Sequence, residues 1–168
     1  MKWIRLFWVA LLSTVILIGC NSAFEKQNET SKTQKVSNTI LDEMEGPPKN
    51  GHTLERHVGK SDSELLERIK RDHITAASTY YDKDTATKAV LESLDIHDKK
   101  IQNWLNHSNR DRLVLNTNHS FAVGKTALKS DMRIHDNLHD TITVLAKDPS
   151  SSRKYKIITS YPIMKRGK

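Results

Sequence analysis

Residues 101–115 read IQNWLNHSNRDRLVL, and the spacing of the apolar side chains changes inside that stretch. Ile101, Trp104 and Leu105 recur three and four positions apart, as on one side of a helix, whereas Leu113, Val114 and Leu115 make a short strand-prone run. Upstream of this point the periodic segments read as helices. Ser61-Asp62-Ser63-Glu64 has the spacing of a capping box, and the helix it opens, to about Asp72, sets Leu65, Leu66 and Ile69 on one side. Asp82 or Asp84 caps a second helix that turns Ala86, Ala89, Val90 and Leu94 inward, and a third runs from about Ile96 to Asn106. Downstream, Leu113-Val114-Leu115, Phe121-Ala122-Val123, Ile142-Thr143-Val144-Leu145 and the run from Tyr155 to Tyr161 read as strands. Asp148-Pro149-Ser150-Ser151-Ser152 is turn chemistry, which makes the last two an antiparallel hairpin. Helices first and strands second predict an α+β domain, with N-terminal helices packed on a curved antiparallel β-sheet. In the final strand, simple alternation puts Tyr155, Ile157, Thr159 and Tyr161 on one face and Lys156, Ile158 and Ser160 on the other.

A chain of 168 residues suffices for one domain with a sound core. Its first nineteen residues, MKWIRLFWVALLSTVILIG, stand apart: Lys2 and Arg5 precede an apolar stretch from Leu6 to Ile18. As a helix that stretch spans only about 20 Å against a hydrocarbon core of about 30 Å, which suits a secretory signal better than a permanent span. Leu17-Ile18-Gly19-Cys20 follows and resembles the lipobox of bacterial lipoproteins. Cys20 is the single cysteine, so no internal disulfide forms, and lipidation gives an exported chain a use for it. The expectation is a signal peptide over 1–19 and a mature chain held on the outer face of the cell membrane through a lipid on Cys20. Stable anchoring of that kind takes more than one acyl chain. Residues 20–50 are polar and close with Gly46-Pro47-Pro48, the composition of a flexible tether, with a short helical turn near Ile40 to Met44.

From residue 51 on, core-forming residues appear, so 51–168 reads as the domain. It holds all eight histidines and 21 Lys and Arg against 15 Asp and Glu, nearly all of the mature chain's positive charge. A basic exported domain calls for an anionic partner, whether nucleic acid, anionic lipid or cell-wall polymer. No P-loop, nucleophile elbow or dinucleotide fingerprint is present.

Two histidines, His52 and His57, sit in GHTLERHVGK, a glycine-bracketed stretch that reads as a loop. Either can move a proton near neutrality, and spacing does not choose between them. Arg68 lies two turns into the first helix, where Glu64 offers it an ordinary surface ion pair; the other use of its guanidinium is to grip a phosphate. Glu67 and Arg71 repeat that pairing. Thr159 and Tyr161 are ordinary strand residues whose hydroxyls share a face and can reach one ligand. His135 and His139 have metal-ligand spacing only on a helix, and Asp136-Asn137-Leu138 between them reads as a connecting loop, so no metal is assigned.

Three blocks together carry a resemblance: GHTLERHVGKSDSELLERIKRD at 51–72, AASTYYDKDTATKAV at 76–90 and YKIITSYP at 155–162. In order and spacing they resemble the bacterial ribonuclease A-like toxin domain at the C-termini of CdiA-type contact-dependent inhibition proteins. The resemblance implies the ribonuclease A fold without disulfides, and a site made of His57, Arg68, Thr159 and Tyr161; His52 is set beside these four as a substrate-binding candidate on its own residue chemistry. It also implies cleavage of RNA without a metal or cofactor, to a 2′,3′-cyclic phosphate and a 5′-hydroxyl, and a partner immunity protein. The second proton carrier stays open among His52, Tyr161 and a lysine. Two rival readings stand beside it: a non-catalytic surface lipoprotein module binding nucleic acid or anionic cell-wall polymer, and a metal-dependent nuclease using His135 and His139.

Overall fold

The structure, a computed structural model, describes residues 39–165. The expected signal at 1–19, Cys20 and the tether as far as residue 38 lie outside the described residues. The elements run α1 (Ile40–Met44), α2 (Thr53–His57), α3 (Asp62–Asp72), β1 (Ala76–Tyr80), α4 (Lys83–Ile96), α5 (Asp98–His107), β2 (Arg112–Asn118), β3 (Gly124–Leu128), β4 (Arg133–Leu138), β5 (Asp140–Lys147) and β6 (Tyr155–Ile163). The fold is α+β, as the sequence predicts. Its antiparallel strands are divided between two three-stranded sheets, β1-β3-β4 and β2-β5-β6.

Local chemistry explains where the helices begin. The capping box of α3 is complete: the Ser61 hydroxyl accepts from the Glu64 N–H at 3.3 Å, and the Glu64 carboxylate accepts from the Ser61 N–H at 2.7 Å. Asp82, rather than Asp84, caps α4 by accepting from the Thr85 N–H at 2.7 Å. Helix α4 buries Ala86, Ala89 and Val90, and α5 buries Ile101 and Trp104, whose indole N–H donates to the Arg110 carbonyl at 2.7 Å. These side chains meet Tyr80, Leu115, Leu145 and Ile157 in the main core, while Leu65 and Ile69 of α3 form a smaller one with Ala77 and Ala127. With no cysteine among the described residues, burial does the holding, at about 1.5–3 kcal/mol for each large apolar side chain.

Residues 39–50 are not tether. Ile40 and Leu41 are each 1% exposed inside the main core, and Met44 joins them. Next in the chain, the Glu45 carboxylate accepts from the N–H groups of Leu54 and Glu55 at 3.0 and 2.8 Å and so caps α2 from outside. Lys49 pairs with Asp148 at 2.5 Å, and Lys83 with Asp42 at 2.6 Å. The Gly51 N–H donates to the Met44 carbonyl at 2.8 Å, and a Cβ on Gly51 would lie 2.3 Å from that oxygen, so the closure requires glycine. The ordered fold therefore takes in residues ahead of 51. A helix of five residues is too short to show a period, which is why the sequence reads as linker there.

Three strands also escape the sequence patterns. β1 is AASTY, β3 is GKTAL and β4 is RIHDNL, none rich in β-branched side chains, and each is fixed by its antiparallel neighbour. The expected strand at Phe121 to Val123 is instead the lead-in to β3, and the stretch taken as a loop after His135 is mostly β4. In β6 the alternation breaks. Val144 pairs with Thr159 but Leu145 with Ile157, so Ile158 is an extra residue and side-chain parity slips there. Tyr155 and Ile157 are buried before the slip, and Ser160 and Pro162 after it. Thr159 and Tyr161 still lie on one side together, but not as a continuation of the Tyr155 and Ile157 face.

Candidate active site

Sheet β1-β3-β4 meets sheet β2-β5-β6 through buried hydroxyls. Tyr80 at the end of β1 and Ser160 of β6 share a hydrogen bond at 2.6 Å, and Ser160 shares another with Thr143 of β5 at 2.8 Å. Two further bonds seat α2 on β6. The Ser160 N–H donates to the Thr53 hydroxyl at 2.9 Å, and the His52 N–H donates to the Ile158 carbonyl at 3.0 Å. Of these groups, Thr53, Ile158 and Ser160 are neighbours in the chain, or neighbours but one, of His52, Thr159 or Tyr161. No sequence motif announces this clamp, because its partners are Thr and Ser side chains and main-chain groups far apart in the chain.

His57 is the last residue of α2, not part of a loop, and only 8% exposed. Its Nδ1 lies 3.0 Å from the Ser78 carbonyl, which can only accept, so Nδ1 carries the proton and Nε2 keeps its lone pair. The residues after it hold that geometry. Val58 bridges Tyr80, and the Gly59 N–H donates to the Tyr80 carbonyl at 3.1 Å with Gly59 at a φ of 65°. That left-handed turn explains the glycine of HVG. Burial, with smaller contributions from the cations Arg68 and Arg56 and from His52, pushes His57 from 6.5 down to about 4, against the opposing bond to Ser78.

Around this imidazole the structure gathers three of the other predicted residues. The Tyr161 ring stacks on it at 5.0 Å between centroids and 28° between planes. The ring of His52 lies 6.4 Å away. Arg68 is near enough to both histidines to disfavour their charged forms. Its guanidinium does not pair with Glu64, which the capping box occupies; it donates to the Arg56 carbonyl at 3.0 Å and lies 3.5 Å from Asp72. Arg71 likewise pairs with Asp72 and not Glu67. Thr159, on Tyr161's side of β6, is 9% exposed, and its hydroxyl finds no hydrogen-bond partner among the described residues. A buried, unsatisfied hydroxyl costs about 1–3 kcal/mol unless something else bonds to it.

His135 and His139 are not brought together on a shared ligand. His135 Nε2 lies 2.9 Å from Asp131, and His139 Nδ1 lies 3.1 Å from the His119 carbonyl. Among the described residues no group of three or more His, Cys, Asp or Glu is placed to hold a metal ion.

Comparison with known proteins gives the class, a CdiA-CT-type toxin domain. A crystal structure of a CdiA-CT/CdiI complex from Y. kristensenii 33638 is similar at a TM-score of 0.65 and 30% identity, over 68% of this chain and 100% of that one. The family model of the bacterial CdiA-CT RNAse A domain matches residues 51–162, and the chain belongs to that family. No curated protein matches. Family membership makes this a toxin nuclease domain. The solved relative is held with a CdiI protein.

Proposed function

We propose that the domain is a metal-independent ribonuclease that cleaves RNA by transphosphorylation. The observation that carries this reading is the fixed His57. Its Nδ1–H is committed to Ser78, leaving the Nε2 lone pair free beside the Tyr161 phenol ring and the Arg68 guanidinium. His57 Nε2 takes the proton of a ribose 2′-hydroxyl. The 2′-oxygen attacks phosphorus, the bond to the 5′-oxygen breaks, and that oxygen leaves with a proton. The products are a 2′,3′-cyclic phosphate and a free 5′-hydroxyl, and no water is consumed. Arg68 offsets the charge that grows on the phosphoryl oxygens. Thr159 supplies a hydrogen bond to phosphate or base, and Tyr161 braces the imidazole and bonds to the transition state.

The same reading assigns the biological setting: a toxin used between bacteria, restrained in its producer by an immunity protein, as suggested by the CdiI protein bound to its relative. The Leu17-Ile18-Gly19-Cys20 motif supports a lipid tether at Cys20. The enzymatic part is tested by incubating the full-length chain with RNA in excess chelator. Cleavage is expected to continue undiminished. Binding without cleavage would instead identify a non-catalytic surface module, and loss of cleavage on chelation would identify a metal-dependent nuclease.

A further inference from the structure

Resting on the ribonuclease reading, we propose that His52 is the second proton carrier, the group that protonates the 5′-oxygen as the bond from phosphorus breaks. In-line attack puts the entering 2′-oxygen and the leaving 5′-oxygen on opposite sides of phosphorus, so base and acid must flank a single phosphoryl group. Imidazoles 6.4 Å apart do so, each ring nitrogen needing a reach of about 2.6–3.2 Å.

The His52 main chain is fixed while its side chain is uncommitted. Its N–H is tied to the Ile158 carbonyl at 3.0 Å, yet no described residue hydrogen-bonds to its ring. His52 occupies the N-cap position of α2, where a side chain ordinarily bonds the free N–H groups of the helix. Glu45 already takes those of Leu54 and Glu55, so capping does not account for the histidine. Two other groups beside His57 fit the acid's role less well. Tyr161 lies flat against the base itself, stacked on the His57 ring, which suits it to bracing that ring and not to reaching the leaving oxygen. Arg68 does not give up a proton.

Glu45, Glu55, Arg56, Arg68 and His57 are the charged and titratable groups around His52; burial first, and then Arg56, lower its pKa from 6.5. The protonated form it needs as an acid is therefore favoured on the acidic side of neutrality.

The test uses the full-length chain, the variants His52→Ala and His52→Gln, and two substrates sharing one nucleoside. A ribodinucleotide loses a 5′-alkoxide, which must be protonated, whereas a nucleoside 3′-(4-nitrophenyl phosphate) loses a phenolate, which need not be. Both variants are expected to cleave the dinucleotide about 10²–10⁴-fold more slowly, to cleave the aryl ester within about tenfold of wild type, and to lose the alkaline fall of the dinucleotide kcat/KM profile. Equal losses on both substrates, or no loss on either, overturn the proposal. So does the leaving-group-selective loss if it appears in Tyr161→Phe and not at His52. A wild-type chain that cleaves neither substrate removes the ribonuclease reading itself. Retained cleavage in the His52 variants beside a dead His57→Ala removes only the proposal.

Discussion

His57→Gln is expected to lower RNA cleavage by about 10²–10⁴-fold, the range that a positioned general base contributes. The same substitution has a second signature that does not depend on any substrate. Folded His57 binds its proton only near pH 4, whereas the unfolded chain binds it near 6.5, so between those values the unfolded state holds more protons. The sign follows: stability is complete above about pH 6.5 and is lost as pH falls towards 4, by about 3 kcal/mol in total from this one group. Urea unfolding at a series of pH values reads that slope. It is expected to be steep in the wild type and flatter in His57→Gln, which has no imidazole to protonate. In kcat/KM, the acid limb assigned to the base lies below the ordinary histidine value for the same reason.

Arg68→Ala is expected to cost about 10²–10³-fold in kcat, comparable to removing one donor that stabilises charge in a transition state. Its effect on stability should be small. The contact with Asp72 is an i,i+4 pair at 3.5 Å between a partly buried guanidinium and an exposed carboxylate, and surface pairs of this spacing are worth about 0–1 kcal/mol. The bond to the Arg56 carbonyl adds a typical net contribution of about 0.5–1.5 kcal/mol. Arg68→Lys separates charge from shape, because lysine keeps the charge but lacks the planar fork that binds two phosphate oxygens at once. Recovery of less than a tenth of the lost rate by lysine is the expected outcome, measured by kcat on a single ribodinucleotide.

What the sequence makes legible is what short-range chemistry controls. The capping box at Ser61 and Glu64 and the turn from Asp148 need only neighbouring residues, and both appear where the pattern places them. The inward faces of α4 and α5 were readable for the same reason. What stayed hidden depends on partners distant in the chain. β1, β3 and β4 are strands because of their pairing, not their composition. Ile158 flips the parity of β6 because Val144 and Leu145 sit opposite it, and nothing in YKIITSYP says so. Ile40, Leu41 and Met44 look like the apolar residues of a linker until a core is present to receive them.

The candidate site divides along the same line. Residue chemistry raised His52, His57, Arg68, Thr159 and Tyr161 as candidates, and the family resemblance picked out the last four. The proximity of His52, Arg68 and Tyr161 to His57 came from the fold, as did three features with no signal in the sequence: the Ser78 carbonyl that sets the tautomer of His57, the Thr53 hydroxyl that seats α2 on β6, and the Glu45 cap that leaves the His52 ring free.

Mass spectrometry of the ends left by the full-length chain on a defined oligoribonucleotide tests the proposed chemistry most directly. Attack by the neighbouring 2′-oxygen predicts fragments that carry a 2′,3′-cyclic phosphate and a 5′-hydroxyl, with the cyclic ends absent when a 2′-deoxyribose stands at the cleaved position. Fragments with a 5′-phosphate and a 3′-hydroxyl, or cleavage that persists at the 2′-deoxy position, would contradict it.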